Sequence, residues 1–166
     1  MERIVIIGCG GSGKSTLARQ LGEKLDLPVV HLDKLFWKPG WMETSPEEFD
    51  VKLVAELEKP RWIMDGNFNR TIQQRLARCD TVIYLDYSRL ICLWGVFCRI
   101  VKSYGKTRPD MGEGCPERID LEFFKWVWNY NKNNRERNYC YLNEATHAAT
   151  YAFKSRRQLK RFLKSL

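Results

Sequence analysis

Much is missing from this chain of 166 residues, and each absence removes a class of function. Six cysteines are present, at positions 9, 79, 92, 98, 115 and 140. None forms a C-x-x-C pair, which excludes a zinc ribbon and a thioredoxin-like redox motif. No secretory leader is expected, because the apolar run Ile4–Ile7 ends at once in glycine; the thiols read as reduced and the protein as cytoplasmic. No run is long enough to cross a bilayer, which takes about 20 apolar residues in a helix. The longest, Leu90–Cys98, contains Gly95, is flanked by Arg89 and Arg99, and reads as a buried core helix. Repeats, low-complexity tracts and linkers are absent, so residues 1–166 read as a single domain able to bury a core.

Acidic residues are missing where basic ones gather. None follows Glu144, and none lies between Arg99 and Arg108, a stretch holding Arg99, Lys102, Lys106 and Arg108. With a net charge of +8, this favours phosphate-bearing partners: nucleotides, nucleic acid or anionic lipid. No helix-turn-helix, zinc finger or basic arm is visible, so DNA stays a partner class without a motif behind it. Arginine, in turn, is absent from residues 34–60.

What is present begins with GCGGSGKS, residues 8–15. Gly8, Gly10 and Gly13 satisfy the dinucleotide fingerprint G-x-G-x-x-G, and Asp33 lies twenty residues on, where such a domain keeps its ribose-binding acid. Gly8, Gly13, Lys14 and Ser15 also satisfy the P-loop pattern. Lys14 and Ser15 decide between them. A pyrophosphate is held by helix N–H groups and needs no cation, whereas a triphosphate calls for a lysine on its outer phosphates and a hydroxyl on Mg²⁺. Gly8, Gly10, Gly11, Ser12, Gly13, Lys14, Ser15 and Thr16 are therefore the expected cradle of a nucleoside triphosphate.

Short β-branched runs punctuated by helical periodicity set the fold. RIVII at 3–7, PVVHL at 28–32, RWIM at 61–64, TVIYL at 81–85 and ATYAF at 149–153 read as strands. Leu17, Ala18, Leu21 and Leu25 share one face of a helix over 14–25, and Ser45-Pro46 opens another. A short helix is expected over 69–78, a longer one from Ser88 to about Tyr104, then helices over 118–130 and 155–166; residues 131–143 give no clear pattern. Strands alternating with helices predict an α/β fold, a parallel sheet covered on both faces. Right-handed crossovers bring Gly8–Ser15, Asp33, Asp65 and Asp86 to one sheet edge. The acid ending RWIMD, Asp65, fits a water-mediated Mg²⁺ carboxylate, so Ser15 and Asp65 are the expected metal side.

GCGGSGKSTLARQL, PVVHLDKLFW and IMDGNFNRT together resemble the small P-loop kinases of the adenylate and shikimate kinase type. LFWKPGW and TRPDMGEGCPER resemble more closely a bacterial subgroup, the DNA topology modulation (FlaR-like) proteins. The resemblance implies a P-loop NTPase three-layer α/β/α sandwich, with a five-stranded parallel sheet in the order 2-3-1-4-5. It also implies an acceptor-side insertion at 34–60, a short lid loop at 105–117, and ATP with Mg²⁺ as cofactors. Arg70 then becomes an acceptor-side or transition-state cation, Arg99 packs on adenine and phosphate, and Arg108 closes over the transferring phosphoryl group. Arg156, after the last strand, either approaches the adenine or belongs to a solvated basic helix face.

Asp33 is either the base of the acceptor hydroxyl or a helix cap. Arg99 is either that ligand or simple charge complement at a helix end. Monophosphate kinases grip the acceptor phosphate with an arginine in the segment that here has none, which favours a hydroxyl-bearing, nucleoside-like or other small acceptor. Phe36, Trp37 and Trp41 either stack on it or pack over the sheet. The expectation is thus ATP-dependent phosphoryl transfer to a small molecule, with a nucleic-acid-associated ATP-binding regulator as the alternative.

Overall fold

A computed structural model describes all residues, 1–166. Five parallel strands form its centre: β1 (Arg3–Gly8), β2 (Val29–His31), β5 (Trp62–Asp65), β6 (Thr81–Leu85) and β7 (Ala149–Phe153). They lie in the order β2-β5-β1-β6-β7, while β3 (Trp37–Lys38) and β4 (Met42–Glu43) form a separate antiparallel hairpin. With that inserted hairpin set aside, the parallel strands run second, third, first, fourth, fifth, the order the resemblance implies. Alternation along β1 explains the layers. Ile4 and Ile6 point to one core cluster, Val5 and Ile7 to the other, as the period of two in a strand requires.

On the first face pack α1 (Lys14–Leu25), α5 (Arg89–Ser103), the start of α6 (Leu121–Glu144) and α7 (Arg156–Ser165). On the second lie α3 (Pro46–Leu57), α4 (Ile72–Leu76) and the end of α6. Ser45 caps α3 by accepting from the Glu48 N–H at 3.2 Å, with Pro46 in the first turn where its missing donor costs nothing. Ser155 caps α7 in the same way, through the Gln158 N–H.

Two expectations change, and one further segment is more regular than its sequence suggests. The connection over 34–60 is more ordered than its composition implies: α2 (Leu32–Phe36) continues directly from β2, and the hairpin follows. Residues 131–143 continue α6 without a break. Their partners are polar, so no apolar period marks them: Arg135 Nη2 and Tyr139 Oη donate to Asp86 at 2.8 and 2.9 Å, and Asn138 Nδ2 to Tyr130 Oη at 3.0 Å. The apolar helix α5, finally, is buried only along Cys92, Val96 and Ile100. Its opposite stripe is open: Leu90 is 68% exposed, Trp94 60% and Phe97 51%, because no element packs outside it. None of the helices is long and apolar enough to cross a membrane.

Candidate nucleotide and acceptor site

The loop between β1 and α1 is glycine-rich, and the Ser12 N–H is spent inside it on the Cys9 carbonyl at 3.2 Å. Gly13 caps α1 in the left-handed region at φ 94°, offers no side-chain cap, and the first helical turn holds no acid. The positive end of the helix therefore faces open space, a ready anion cradle. Gly11, at φ 75°, lies so close to α5 that a Cβ would stand 2.2 Å from the Cys92 carbonyl oxygen. Lys14 reaches back to donate to the Cys9 carbonyl at 3.0 Å.

A cleft of ≈ 820 Å³ opens above this loop, and most of the expected residues line it: Gly10, Gly11, Gly13, Lys14, Ser15, Thr16, Asp33, Asp65, Arg99, Arg108 and Arg156. Gly8 and Ser12 are not in its wall. The Gly8 N–H donates to Asn67 Oδ1 at 3.1 Å, and Ser12 is buried beneath the loop. Arg70 does not reach the cleft either. Both of its terminal nitrogens grip Asp50 of α3, at 2.8 and 2.7 Å, on an exposed flank. The expectation for Arg70 is corrected accordingly: the chain turns into a 3-10 turn at Asn69–Thr71, which directs that side chain toward α3.

Behind the cleft stands an arginine that the sequence reading passed over. Arg75 is fully buried and donates to the carbonyls of Gly66, Asn67 and Phe68 at 2.9, 2.5 and 3.0 Å. Burial pulls its pKa down to about 9, which leaves it cationic at neutral pH. It fixes the turn after Asp65, including Phe68, a non-glycine residue at φ 28° stacked on Phe49 with centroids 5.1 Å apart. Asn67 ties that turn to the start of the loop after β1 and to α6, since its Oδ1 accepts from the Gly8 N–H at 3.1 Å and from Tyr130 Oη at 3.3 Å.

The acids of the cleft differ in setting. Asp65 Oδ1 is 2.5 Å from His31 Nδ1, so His31 partners the metal-side candidate. Burial pushes the Asp33 carboxyl above its ordinary value; Lys14 opposes this, and nearby Asp65 adds to it. Asp110, from the loop after α5, answers differently. Burial favours its neutral form, but Arg108 and a hydrogen bond from the Ser15 hydroxyl hold it below the ordinary value. No motif marked Asp110, although it sits two residues beyond the expected Arg108.

The roof is formed by residues 105–117, whose ends are joined by main-chain bonds: the Gly105 N–H donates to the Glu117 carbonyl and the Glu117 N–H to that of Lys106, at 2.9 and 3.0 Å. This loop is laced to the β3–β4 hairpin. The Gly40 N–H donates to Gly114 O at 3.0 Å, Cys115 Sγ to Lys38 O at 3.1 Å, and Trp41 Nε1 to Pro116 O at 3.2 Å. Trp37 and Trp41, in edge contact with centroids 5.5 Å apart, line the cleft on this side beside Asp33.

Among solved structures, the chain is similar to shikimate kinase from Acinetobacter baumannii in complex with shikimate. The match has 16% identity, covers 99% of this chain and 92% of that one, and gives a TM-score of 0.57. A candidate kinase from Chloroflexus aurantiacus matches with 16% identity over 99% of this chain and 97% of its own, at a TM-score of 0.47. No protein-family model and no curated protein sequence matches the chain, so the FlaR-like resemblance and a DNA partner gain no support. At this identity the first likeness establishes the fold: an α/β sandwich of the shikimate kinase type around a five-stranded parallel sheet.

Proposed function

We propose that the protein is an ATP- and Mg²⁺-dependent kinase that transfers a phosphoryl group to the hydroxyl of a small molecule. The observation that carries this reading is convergence. One cleft is lined by an uncapped helix N-terminus with Lys14 beside it, by Asp33 and Asp65, and by Arg99, Arg108 and Arg156. Phosphoryl transfer is chiefly positioning and charge stabilisation, and that requires cations on several sides of the moving group.

In this reading the N–H groups of residues 10–16 and Lys14 hold the triphosphate. Ser15 and Asp65 would hold the Mg²⁺, which when bound neutralises charge between the outer phosphates. Arg99 and Arg156 serve the nucleotide, and Arg108 reaches the transferring group. Asp33 is the base: a carboxyl with a raised pKa, beside Lys14, is suited to take a hydroxyl proton. Residues 34–60 then act as an acceptor-side insertion whose Trp37 and Trp41 form an apolar wall, and residues 105–117 as a lid, within one domain spanning 1–166. Shikimate, the ligand of the similar kinase, belongs to the class of acceptors this predicts. A wall of indoles and no arginine over 34–60 favours a hydroxyl acceptor over a nucleoside monophosphate.

An acceptor screen tests the proposal: ADP release from ATP·Mg²⁺ is followed across nucleosides, nucleotides and polyhydroxylated acids. The expected result is one acceptor that raises turnover far above the rate with water. If no acceptor exceeds water while duplex DNA binds with a steep salt dependence, the nucleic-acid-associated alternative replaces the kinase.

A further inference from the structure

Glu117 is the last residue of the roof loop, and its carboxylate is 4% exposed. A charge that is nine-tenths withdrawn from water is tolerated only with close partners. It has two, and both are arginines of the cleft. Glu117 Oε1 accepts from Arg99 Nη2 at 3.0 Å, and Oε2 forms an ion pair with Arg108 Nε at 2.8 Å, without a hydrogen bond. Arg108 continues to Asp110 at 2.6 Å. Burial, and next the neighbouring Arg108 guanidinium, lower the Arg99 pKa, while Glu117 raises it, so the two cations would repel each other without the carboxylate between them.

The pairing also leaves donors unspent. Arg99 is engaged with Glu117 through one terminal nitrogen, while its Nε is buried and makes no hydrogen bond. Its guanidinium lies 5.1 Å over the Phe123 ring, which fixes its plane from the other side. Arg99 comes from the end of α5 and Arg108 from the loop, so no element of secondary structure holds them together. Glu117 does so, and main-chain bonds to Gly105 and Lys106 anchor it in turn.

We infer that Glu117 is a positioning residue: it gathers Arg99 and Arg108 into a preassembled pair of guanidiniums at the roof of the cleft, ready for the outer phosphates of the nucleotide. The inference rests on the kinase reading and adds to it. Glu117 itself touches neither substrate. Its contribution is to replace two independently ordered side chains by one receptor, so that little reorganisation accompanies the transition state.

The test uses the full chain with Glu117→Gln and Glu117→Asp. In the ligand-free protein, the Nε–H resonances of Arg99 and Arg108, assigned through Arg99→Lys and Arg108→Lys, are expected to be slowly exchanging; Glu117→Gln brings the Arg108 resonance into fast exchange. In steady-state kinetics with the acceptor found by the screen, Glu117→Gln is expected to lower kcat by about ten- to a hundredfold, the range for a misplaced catalytic group. Calorimetric affinity for ATP·Mg²⁺ should stay within about threefold, because the variant removes a negative charge while it loosens the cations. Glu117→Asp, which keeps the charge, should recover part of kcat. An unchanged kcat in Glu117→Gln, or kcat and ATP affinity falling together, overturns the positioning role while the kinase reading stands. Failure of the unaltered protein to bind ATP overturns the kinase reading and this inference with it.

Discussion

Gly95 lies in the middle of α5, where an ordinary helix gains from alanine. Replacing glycine by alanine at an unobstructed helical site contributes about 1 kcal/mol. Here a Cβ would stand 2.0 Å from the Gly11 carbonyl oxygen and 2.9 Å from its carbonyl carbon. Non-bonded heavy atoms pack at about 3.5 Å, so either α5 or the phosphate loop must retreat by roughly 1.5 Å in Gly95→Ala. Overpacking of this kind costs about 1–3 kcal/mol, which leaves a net loss of about 0–2 kcal/mol once helix propensity is offset. For a chain of this length the melting temperature should fall by up to about 8 °C. The effect on nucleotide binding should be larger. A carbonyl forced outward re-aims the N–H groups of the cradle, and a 1 Å misplacement can cost about a hundredfold. Thermal melts and ATP·Mg²⁺ calorimetry on Gly95→Ala measure both, with Leu90→Ala on the open face of the same helix as the neutral reference. A variant that melts higher than the parent and binds ATP as well would refute the claim that α5 is seated on the phosphate loop.

The other predictions concern charge. Asp33→Asn should abolish most turnover while ATP still binds, and the acid limb of the pH–rate profile should lie above the ordinary carboxylate value of 3.8, because burial raises the Asp33 pKa; a flat profile down to about pH 4 counts against the base. Since the folded chain holds that proton more tightly than the unfolded one, its stability contribution is full below the unfolded pKa and is lost as pH rises through the folded value. Asp33→Asn should therefore raise the melting temperature at neutral pH, as read by calorimetry. Arg75→Met strands three carbonyl acceptors and should destabilise by about 3–5 kcal/mol in urea titration, with an unchanged midpoint contradicting the structural role. Arg70→Ala should leave kcat within about twofold, because that side chain is engaged with Asp50; a large loss would show that Arg70 swings into the cleft during turnover.

Residues with a periodic or motif-bound role were legible in the sequence. β1 and α1 stand where the RIVII run and the Leu17–Leu21 face put them, with the glycine loop between them. What escaped was decided by polar partners that no apolar period marks. Arg75 reads as one more helical arginine until the turn it supports folds over it, 7–9 residues upstream. Asn131, Arg135 and Asn138 carry α6 past Tyr130 through polar bonds, and hydrophobic spacing is blind to those. The exposed stripe of α5 shows the converse: apolar residues on both faces of a helix do not say which face finds a neighbour.

The lacing between the tryptophan hairpin and the roof loop has a mechanical consequence. Three hydrogen bonds bind the tryptophan hairpin to the loop over 105–117, so on the kinase reading neither could swing open while the other stays still. Entry of either reactant of the proposed kinase would then unseat the hairpin and the loop together. On that reading a single movement would cover both reactants together.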